Sequence, residues 1–106
     1  LMFDVRFLKN PHWVPTLRRL TGKDPAVAAY IRRQPTARAT IKKLSSLLRW
    51  MVPLYVQEGK SYLTIAVGCT GGKHRSVYVA EALKRELHGL KGVSIKVAHR
   101  DLVKGR

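Results

Sequence analysis

The sequence predicts an α/β fold, with a small three-stranded, mostly parallel sheet and helices packed on it. Patterns typical of a strand, two helices, a strand, a helix and a strand follow one another along the chain, which is the order found in α/β proteins. Connections between parallel strands are expected to be right-handed crossovers. A glycine-rich loop lies between the central strand and the following helix, and it predicts an anion-binding loop at that point.

The first strand is predicted over 3–7, where apolar residues alternate with Asp4 and Arg6. On the second face of this strand, Asp4 and Arg6 form either an exposed ion pair, worth about 0–1 kcal/mol, or the rim of a site. The following segment, 9–23, contains two nearby prolines and is predicted to be irregular. The apolar residues that favour packing of this loop on the core are Trp13, Leu17 and Leu20.

Two helices are predicted before the central strand. Asp24-Pro25 is typical of an N-cap and a first helical position, and it starts a short helix. Thr36 caps a longer helix, which Pro53 is expected to kink or end near 49–52. The Gln-Glu-Gly sequence at 57–59 is a helix stop. The apolar stripe of the longer helix consists of Ile41, Leu44, Leu48, Met51 and Tyr55.

The central strand is predicted over 62–67, a nearly unbroken apolar run of the kind that a sheet covered on both faces contains. Gly68 ends this strand, and Gly71-Gly72 supply a bend. Helical spacing of apolar residues begins at about His74. Alternation over Val93–Val97 then predicts the third strand.

The loop after the central strand carries cations and hydroxyl groups as well as glycines. Backbone N–H groups and the positive end of the helix dipole are expected to point into the same small volume. A phosphate, a sulfate or a carboxylate would satisfy these donors. A glycine pair after a strand is also common in plain turns, so the prediction depends on the polar side chains as well. These are Thr70, Lys73, Arg75 and Ser76.

Open α/β sheets bind their ligands beyond the carboxyl ends of the strands. Three segments are predicted to end there, namely 6–12, 68–76 and 99–100. Their convergence favours a site over a simple ion pair at the end of the first strand, with a carboxylate available for an amine or hydroxyls. The predicted rim residues are Asp4, Arg6, Asn10, His12, His99 and Arg100.

Charge dominates the composition. The 106 residues include 21 lysines and arginines against 6 aspartates and glutamates, a formal net charge of +15. Such a field attracts polyanions. Nucleic acid is favoured over a membrane, because no strongly amphipathic basic segment also carries a Trp or Phe face. No apolar run approaches the roughly 20 residues that span a bilayer.

Length and cysteine content restrict the class further. A chain of 106 residues fits one domain, 1–106. A single cysteine fits a reducing cytoplasm. Neither a CxxC nor an HxxxH pattern occurs, so no metal site and no cofactor is expected. The chain lacks an initiator methionine and opens directly on a strand, which favours a piece of a longer protein.

Two classes of enzyme compete with a binding role for the loop. A nucleotide P-loop needs Ser or Thr after its lysine, whereas Lys73 is followed by histidine, which argues against ATP or GTP hydrolysis. The C-x5-R-S spacing of Cys69–Ser76 resembles the phosphate loop of cysteine-dependent tyrosine phosphatases. By that resemblance Cys69 would attack phosphorus as a thiolate and Arg75 would hold the phosphate. Because that family's usual histidine is Gly68 here, a buried, inert cysteine is the preferred interpretation.

Four stretches carry a resemblance that extends over nearly the whole chain. They are Asp4–Pro11, Leu20–Asp24, Ser61–Ser76 and His99–Arg100, and the pattern Gly-Cys-Thr-Gly-Gly-x-His-Arg-Ser is specific. The chain resembles the C-terminal domain of the RapZ/YvcJ family. The resemblance implies an RNA-binding adapter domain that presents small regulatory RNA to the endoribonuclease RNase E and senses glucosamine-6-phosphate. The Walker-type nucleotide domain that normally precedes it in the family is absent from this sequence.

The resemblance also implies roles for individual residues, in a domain without catalytic residues that is expected to form a homodimer. The amine and hydroxyls of a phosphorylated amino sugar would face Asp4, Asn10 and His12, while His99 and Arg100 would close the pocket. The phosphate would bind the loop, which comprises Cys69, Thr70, Gly71, Gly72, Lys73, His74, Arg75 and Ser76. The residues expected to bind RNA are Lys91, Lys96, Lys104 and Arg106.

Overall fold

The computed structural model describes residues 1–99 of the chain. Within these residues the predicted α/β class is confirmed. None of the helices in this part of the chain is long and apolar enough to cross a bilayer. The elements are β1 (Met2–Asp4), a 3-10 helix (Pro11–Trp13), α1 (Pro25–Arg32), α2 (Pro35–Gln57), β2 (Ala66–Gly68) and α3 (Arg75–Glu86).

The two strands pair in parallel and end at the same edge of the sheet. Met2 pairs with Ala66, and Asp4 pairs with Gly68. The N–H of Val5 extends this ladder by donating to the carbonyl of Gly68 at 2.8 Å. The loops that follow β1 and β2 therefore start side by side, next to the first turn of α3.

The helices bury apolar side chains in one cluster. Ile31 of α1, Leu48 of α2 and Val79 of α3 are fully buried. Val5 and Leu8, which directly follow β1, belong to the same cluster. Burying a side chain of this size contributes about 1.5–3 kcal/mol, so packing of the helices holds the short sheet in place.

Several helix ends agree with the prediction. Asp24 is the N-cap of α1 and Pro25 its first residue. The carboxylate of Asp24 accepts the N–H of Thr21 at 2.7 Å and so holds the preceding loop. The predicted stop after α2 is present, because α2 ends at Gln57 and Gly59 has a φ of +89°.

Four elements differ from the prediction. Strand β1 covers Met2–Asp4 instead of 3–7, and α2 begins at Pro35 after the N-cap Gln34, so Thr36 does not cap it. Strand β3 over Val93–Val97 is not formed, because segment 90–99 packs Val93 and Ile95 against the core without pairing its backbone in the sheet. The central strand is reduced to β2, and Tyr62 is exposed. Helix α2 continues through Pro53 instead of ending near 49–52. Leu48 and Val52 before the proline are buried and Tyr55 after it is half-buried, and this packing stabilises the helix there.

The loop over 9–23 packs on α3 through Gly22. The N–H of Gly22 donates to the carbonyl of Lys73 at 3.0 Å. A Cβ atom at this position would lie 2.4 Å from the carbonyl oxygen of His74 and 2.5 Å from the backbone nitrogen of Tyr78. Both atoms belong to the backbone at the start of α3 and cannot move without shifting the helix. Glycine is required by this close approach.

Apolar residues of the same loop anchor it only in part as predicted. Leu17 is buried and Leu20 packs against the core. Trp13, by contrast, is 75% exposed. The indole therefore lies on the surface of the loop and is not one of its anchors.

Replacing Gly22 with alanine is expected to destabilise the fold by about 1–3 kcal/mol, the usual cost of overpacking a closed contact. The free energy of unfolding, measured by urea titration of wild type and Gly22→Ala, tests this. Gly68→Ala is the matched control, because a Cβ there would meet only the tip of Met2 at 3.8 Å. Equal losses of stability in the two variants would contradict the close contact.

Candidate anion-binding site

Arg75 is the first residue of α3 and is only 4% exposed. Its Nη1 donates to the carbonyl oxygens of Arg6 and Leu8, the second at 2.8 Å. Its Nε is buried and has no hydrogen-bond partner in the described part of the chain. Arginine stays charged at all ordinary pH values, so this guanidinium is a buried cation whose hydrogen bonds are made to neutral acceptors.

A cavity of about 580 Å³ lies beside Arg75. Three of its lining residues are cations, Arg6, Lys9 and Arg75, and none of its lining residues in the described chain is acidic. Like charges focused in one concave region attract an anion more strongly than isolated surface cations do. We call this the cationic cavity, which is lined by Arg6, Leu8, Lys9, Asn10, Trp13, Tyr30, Thr70 and Arg75.

The loop between β2 and α3 contributes to two different cavities. Thr70 lines the cationic cavity, whereas Cys69, Gly72 and Ser76 line a second cavity of about 670 Å³. The N–H of Ser76 donates to Sγ of Cys69 at 3.2 Å. One of the helix N–H groups that the sequence assigns to an anion is therefore bonded to the cysteine.

The middle of the loop has the predicted bend, and neither Lys73 nor His74 lines the cationic cavity. Gly71 and Gly72 have φ values of +84° and +63°, which favour glycine. Lys73 Nζ donates to the carbonyl of Arg18 at 3.4 Å. His74 is buried, and this burial lowers its pKa although nearby backbone carbonyls favour the charged form. His74 is therefore neutral near pH 7 and adds no charge to the site.

Asp4 and Arg6 lie at the end of β1, where the sequence predicts either an exposed ion pair or the rim of a site. Arg6 Nε lies 2.7 Å from Asp4 Oδ2 in an exposed ion pair, and Arg6 also lines the cationic cavity. The backbone N–H of Arg6 donates to Asp4 at 3.0 Å, and this bond together with the guanidinium lowers the pKa of the Asp4 carboxyl. An exposed pair is worth only about 0–1 kcal/mol, so Arg6 can exchange Asp4 for another anion at little cost.

Asn10 and His12 lie on the loop after β1 and have different surroundings. Asn10 lines the cationic cavity, and its Oδ1 accepts the N–H of His12 at 3.0 Å, which caps the 3-10 helix. His12 is exposed and does not line the cavity. Its ring packs edge-on against Trp13, with ring centroids 5.7 Å apart.

His99 lies away from the cationic cavity. It lines the second cavity, where its Nε2 lies 2.5 Å from Oε2 of Glu81 on α3. The lysines at 91 and 96 that were predicted to bind RNA are exposed. Three further predicted residues lie outside the described residues, and these are Arg100, Lys104 and Arg106.

Four residues that line the cationic cavity are missing from the sequence-based site, and one of them, Leu8, belongs to the apolar core. Lys9 and Trp13 belong to the irregular loop after β1, where position relative to a strand end gives no direction for a side chain. Tyr30 lies on α1, and only tertiary packing brings it to the loop after β2. The sequence signal for two of these residues is their position, since the cation Lys9 and the aromatic Trp13 lie within a few residues of Arg6 and Asn10.

Comparison with known proteins gives one family over almost the whole chain. The family model of the RapZ C-terminal domain matches residues 1–103. A nucleotide-binding protein of Solibacter usitatus is 53% identical over 106 residues, which are 100% of this chain and 33% of that protein. A nucleotide-binding protein of Rhodospirillum rubrum is 58% identical over 102 residues, which are 96% of this chain and 32% of that protein. The chain therefore spans about a third of the length of these relatives.

The pair formed by Glu81 and His99 predicts a specific pH dependence of stability. The hydrogen bond from His99 is the main cause that lowers the pKa of Glu81 below its usual value of 4.5. The stability gained from ionised Glu81 is present above pH 4.5 and is lost as the pH falls through the lowered pKa of the folded state. The difference in unfolding free energy between wild type and Glu81→Gln should be largest near neutral pH and shrink in acid.

Urea titrations of both proteins across the acid range measure this difference. Glu86→Gln is the control, because Glu86 is an exposed glutamate on the same helix. A wild-type advantage over Glu81→Gln that stays constant or grows in acid would contradict the interaction.

Proposed function

The chain belongs to the RapZ C-terminal domain family, and on this basis we propose that it is a non-enzymatic sensor and RNA-binding adapter domain. Its small ligand is a phosphorylated amino sugar such as glucosamine-6-phosphate. Its macromolecular partners are small regulatory RNA, which it presents to RNase E, and a second copy of the same domain in a homodimer. The match over residues 1–103 confirms the family that the sequence predicts. The sensing, RNA-binding and adapter roles are proposed.

The observation that carries the proposal is the buried cation in the cationic cavity. Leaving a charged donor such as Arg75 Nε without an acceptor in a buried position costs about 1–3 kcal/mol or more. A phosphate bound in this cavity would be attracted by the charge of Arg75 and would make charge-assisted bonds of about 1.5–3 kcal/mol each with accessible donors. Arg6, Lys9 and the hydroxyl of Thr70 are available around the same volume.

The electrostatics of the whole chain support a polyanionic partner. With a formal charge of +15 on 106 residues, phosphate contacts are expected to dominate the affinity for nucleic acid. Lys91 and Lys96 are exposed and can contact a phosphate backbone. RNA would therefore be drawn to the domain over a wide surface that includes the cationic cavity, where the small ligand is bound.

A cysteine-dependent phosphatase is the second candidate, and one observation favours it. The N–H of Ser76 donates to Cys69 Sγ at 3.2 Å, so the sulfur lies at the N-terminus of α3, a position where catalytic cysteines are often found. The position of Arg75, the arginine of the C-x5-R-S spacing, argues against a phosphatase. Arg75 lines the cationic cavity and donates to Arg6 and Leu8, whereas Cys69 lines the second cavity, so one phosphate would not contact both residues.

Calorimetric titration with glucosamine-6-phosphate tests the sensor function. Arg6→Ala should weaken binding by about 10-fold or more, because it removes a charge-assisted bond to the phosphate. Arg6 is exposed, so the variant is expected to fold. Arg75→Ala should abolish binding, and its unfolding free energy must be measured alongside, since the guanidinium also holds the backbone at residues 6–8.

Arg38→Ala is the matched control for Arg6→Ala, because Arg38 is an exposed arginine of α2 outside the cationic cavity. It should bind the sugar phosphate as wild type does. Equal heats in wild type, Arg6→Ala and folded Arg75→Ala, or no heat in wild type, would contradict a phosphosugar site in this cavity.

The non-enzymatic character predicts no phosphatase turnover. Wild type and Cys69→Ser should hydrolyse a generic aryl phosphate equally slowly, at the rate of buffer alone. The assay follows release of the phenol over the pH range 5 to 8. Turnover by wild type that disappears in Cys69→Ser and persists in Arg38→Ala would instead establish the phosphatase.

A further inference from the structure

The cationic cavity has an aromatic rim. Trp13 is 75% exposed and lines the cavity together with Tyr30, which is half-buried on α1. Arg75, which is buried, lines the same cavity. Proteins often bind a nucleotide with flat apolar rings and cations that share one cavity. The ring stacks on the base, and the cations bind the phosphate.

The backbone just before Trp13 is held by side-chain hydrogen bonds. The N–H of Lys9 donates to Oε1 of Gln34 at 2.9 Å, and the N–H of His12 donates to Oδ1 of Asn10 at 3.0 Å. Arg18 Nε donates to the carbonyl of His12 at 2.9 Å. The loop thus presents the indole to solvent in a defined position, which lowers the entropic cost of stacking a ligand on it.

We propose that the cationic cavity binds a nucleotide of single-stranded RNA, whose base stacks on the Trp13 indole while its phosphate binds Arg75 and Arg6. The proposal rests on the function proposed above, which brings RNA to this domain, and it assigns one nucleotide of that RNA to a particular place. The nucleotide and the phosphorylated sugar would be alternative occupants of this cavity, since both use Arg75 and Arg6. Lys9, which is exposed beside the same cavity, is in position to contact the next phosphate of the strand.

The ring favours a base over other occupants for a physical reason. Cations alone would attract any polyanion, and they would not require an exposed tryptophan beside them. A base in a duplex has both faces covered by its neighbours, so stacking on Trp13 selects an unpaired nucleotide. Base–aromatic stacking tolerates every base, so the cavity would recognise single-strandedness more strongly than sequence.

The second tryptophan of the chain provides a matched control. Trp50 is 66% exposed on α2 and does not line the cationic cavity. The two residues share ring chemistry and have similar exposure, and of the two only Trp13 lines the cationic cavity. An effect of aromatic surface in general would appear at both positions, whereas stacking in the cavity would appear only at Trp13.

The experiment measures binding of an eight-nucleotide oligoadenylate at fixed low salt by fluorescence anisotropy. Trp13→Ala should weaken binding about 5- to 150-fold, which corresponds to roughly 1–3 kcal/mol for one stacked base. Trp50→Ala should stay within about twofold of wild type, and Trp13→Phe should restore much of the affinity, since a phenyl ring also stacks. An abasic oligonucleotide of the same length should bind wild type and Trp13→Ala equally.

The outcomes separate this inference from the proposed function. If oligoadenylate binds wild type and Trp13→Ala equally, or if Trp50→Ala weakens binding as much, the stacking inference is overturned, and salt-sensitive RNA binding with sugar binding leaves the adapter function standing. If wild type binds neither the oligonucleotide nor glucosamine-6-phosphate, both proposals fail. Equal unfolding free energies of Trp13→Ala and wild type would show that the exposed indole has no role in folding.

Discussion

The hydrogen bonds of Arg75 to the carbonyls of Arg6 and Leu8 are the interaction on which the rest of the site depends. A guanidinium cannot lose its charge inside a protein, so its burial is tolerated only where acceptors meet it. The acceptors here belong to the chain that leaves β1, and the donor belongs to the first turn of α3. The end of one strand and the beginning of the helix after the other strand are thereby fixed to each other.

A second contact fixes the other side of the helix start. Gly22 lies against the backbone of His74 and Tyr78, closer than any residue with a side chain could lie. The loop that contains Gly22 covers His74 and keeps its imidazole out of water, which lowers the pKa of that histidine. The positive charge beside the loop is therefore carried by arginine and lysine, which remain charged throughout the physiological pH range.

Features set by local chemistry were predictable from the sequence, and features set by tertiary packing were not. The Asp24-Pro25 helix start, the bend at Gly71-Gly72 and the strand–loop–helix order around them follow from backbone preferences of single residues. Alternation over Val93–Val97 gives the same signal whether the segment pairs in a sheet or only packs on helices, so the third strand was predicted and is not formed.

The site shows the same division. The sequence predicts the loop and Arg75 as elements of a cationic site, because glycine, hydroxyl and basic residues cluster there. It assigned all loop residues to one pocket, whereas the structure gives Thr70 and Arg75 to one cavity and Cys69 and Ser76 to another. Adjacent residues at a strand end point to opposite sides, and the spacing of a motif does not reveal which side holds the ligand.

Charge and shape have separate consequences for recognition in this domain. A field of +15 raises the encounter rate with every polyanion and does not distinguish RNA from other polyanions. Discrimination needs a contact that only some ligands satisfy. In the proposed site, the buried cation Arg75 and its cationic neighbours would favour an anion, and the exposed indole at the same cavity would favour a flat unpaired ring. Because Arg75 belongs to α3 and Trp13 to the loop after β1, both requirements are met only when the packing that joins these elements is intact.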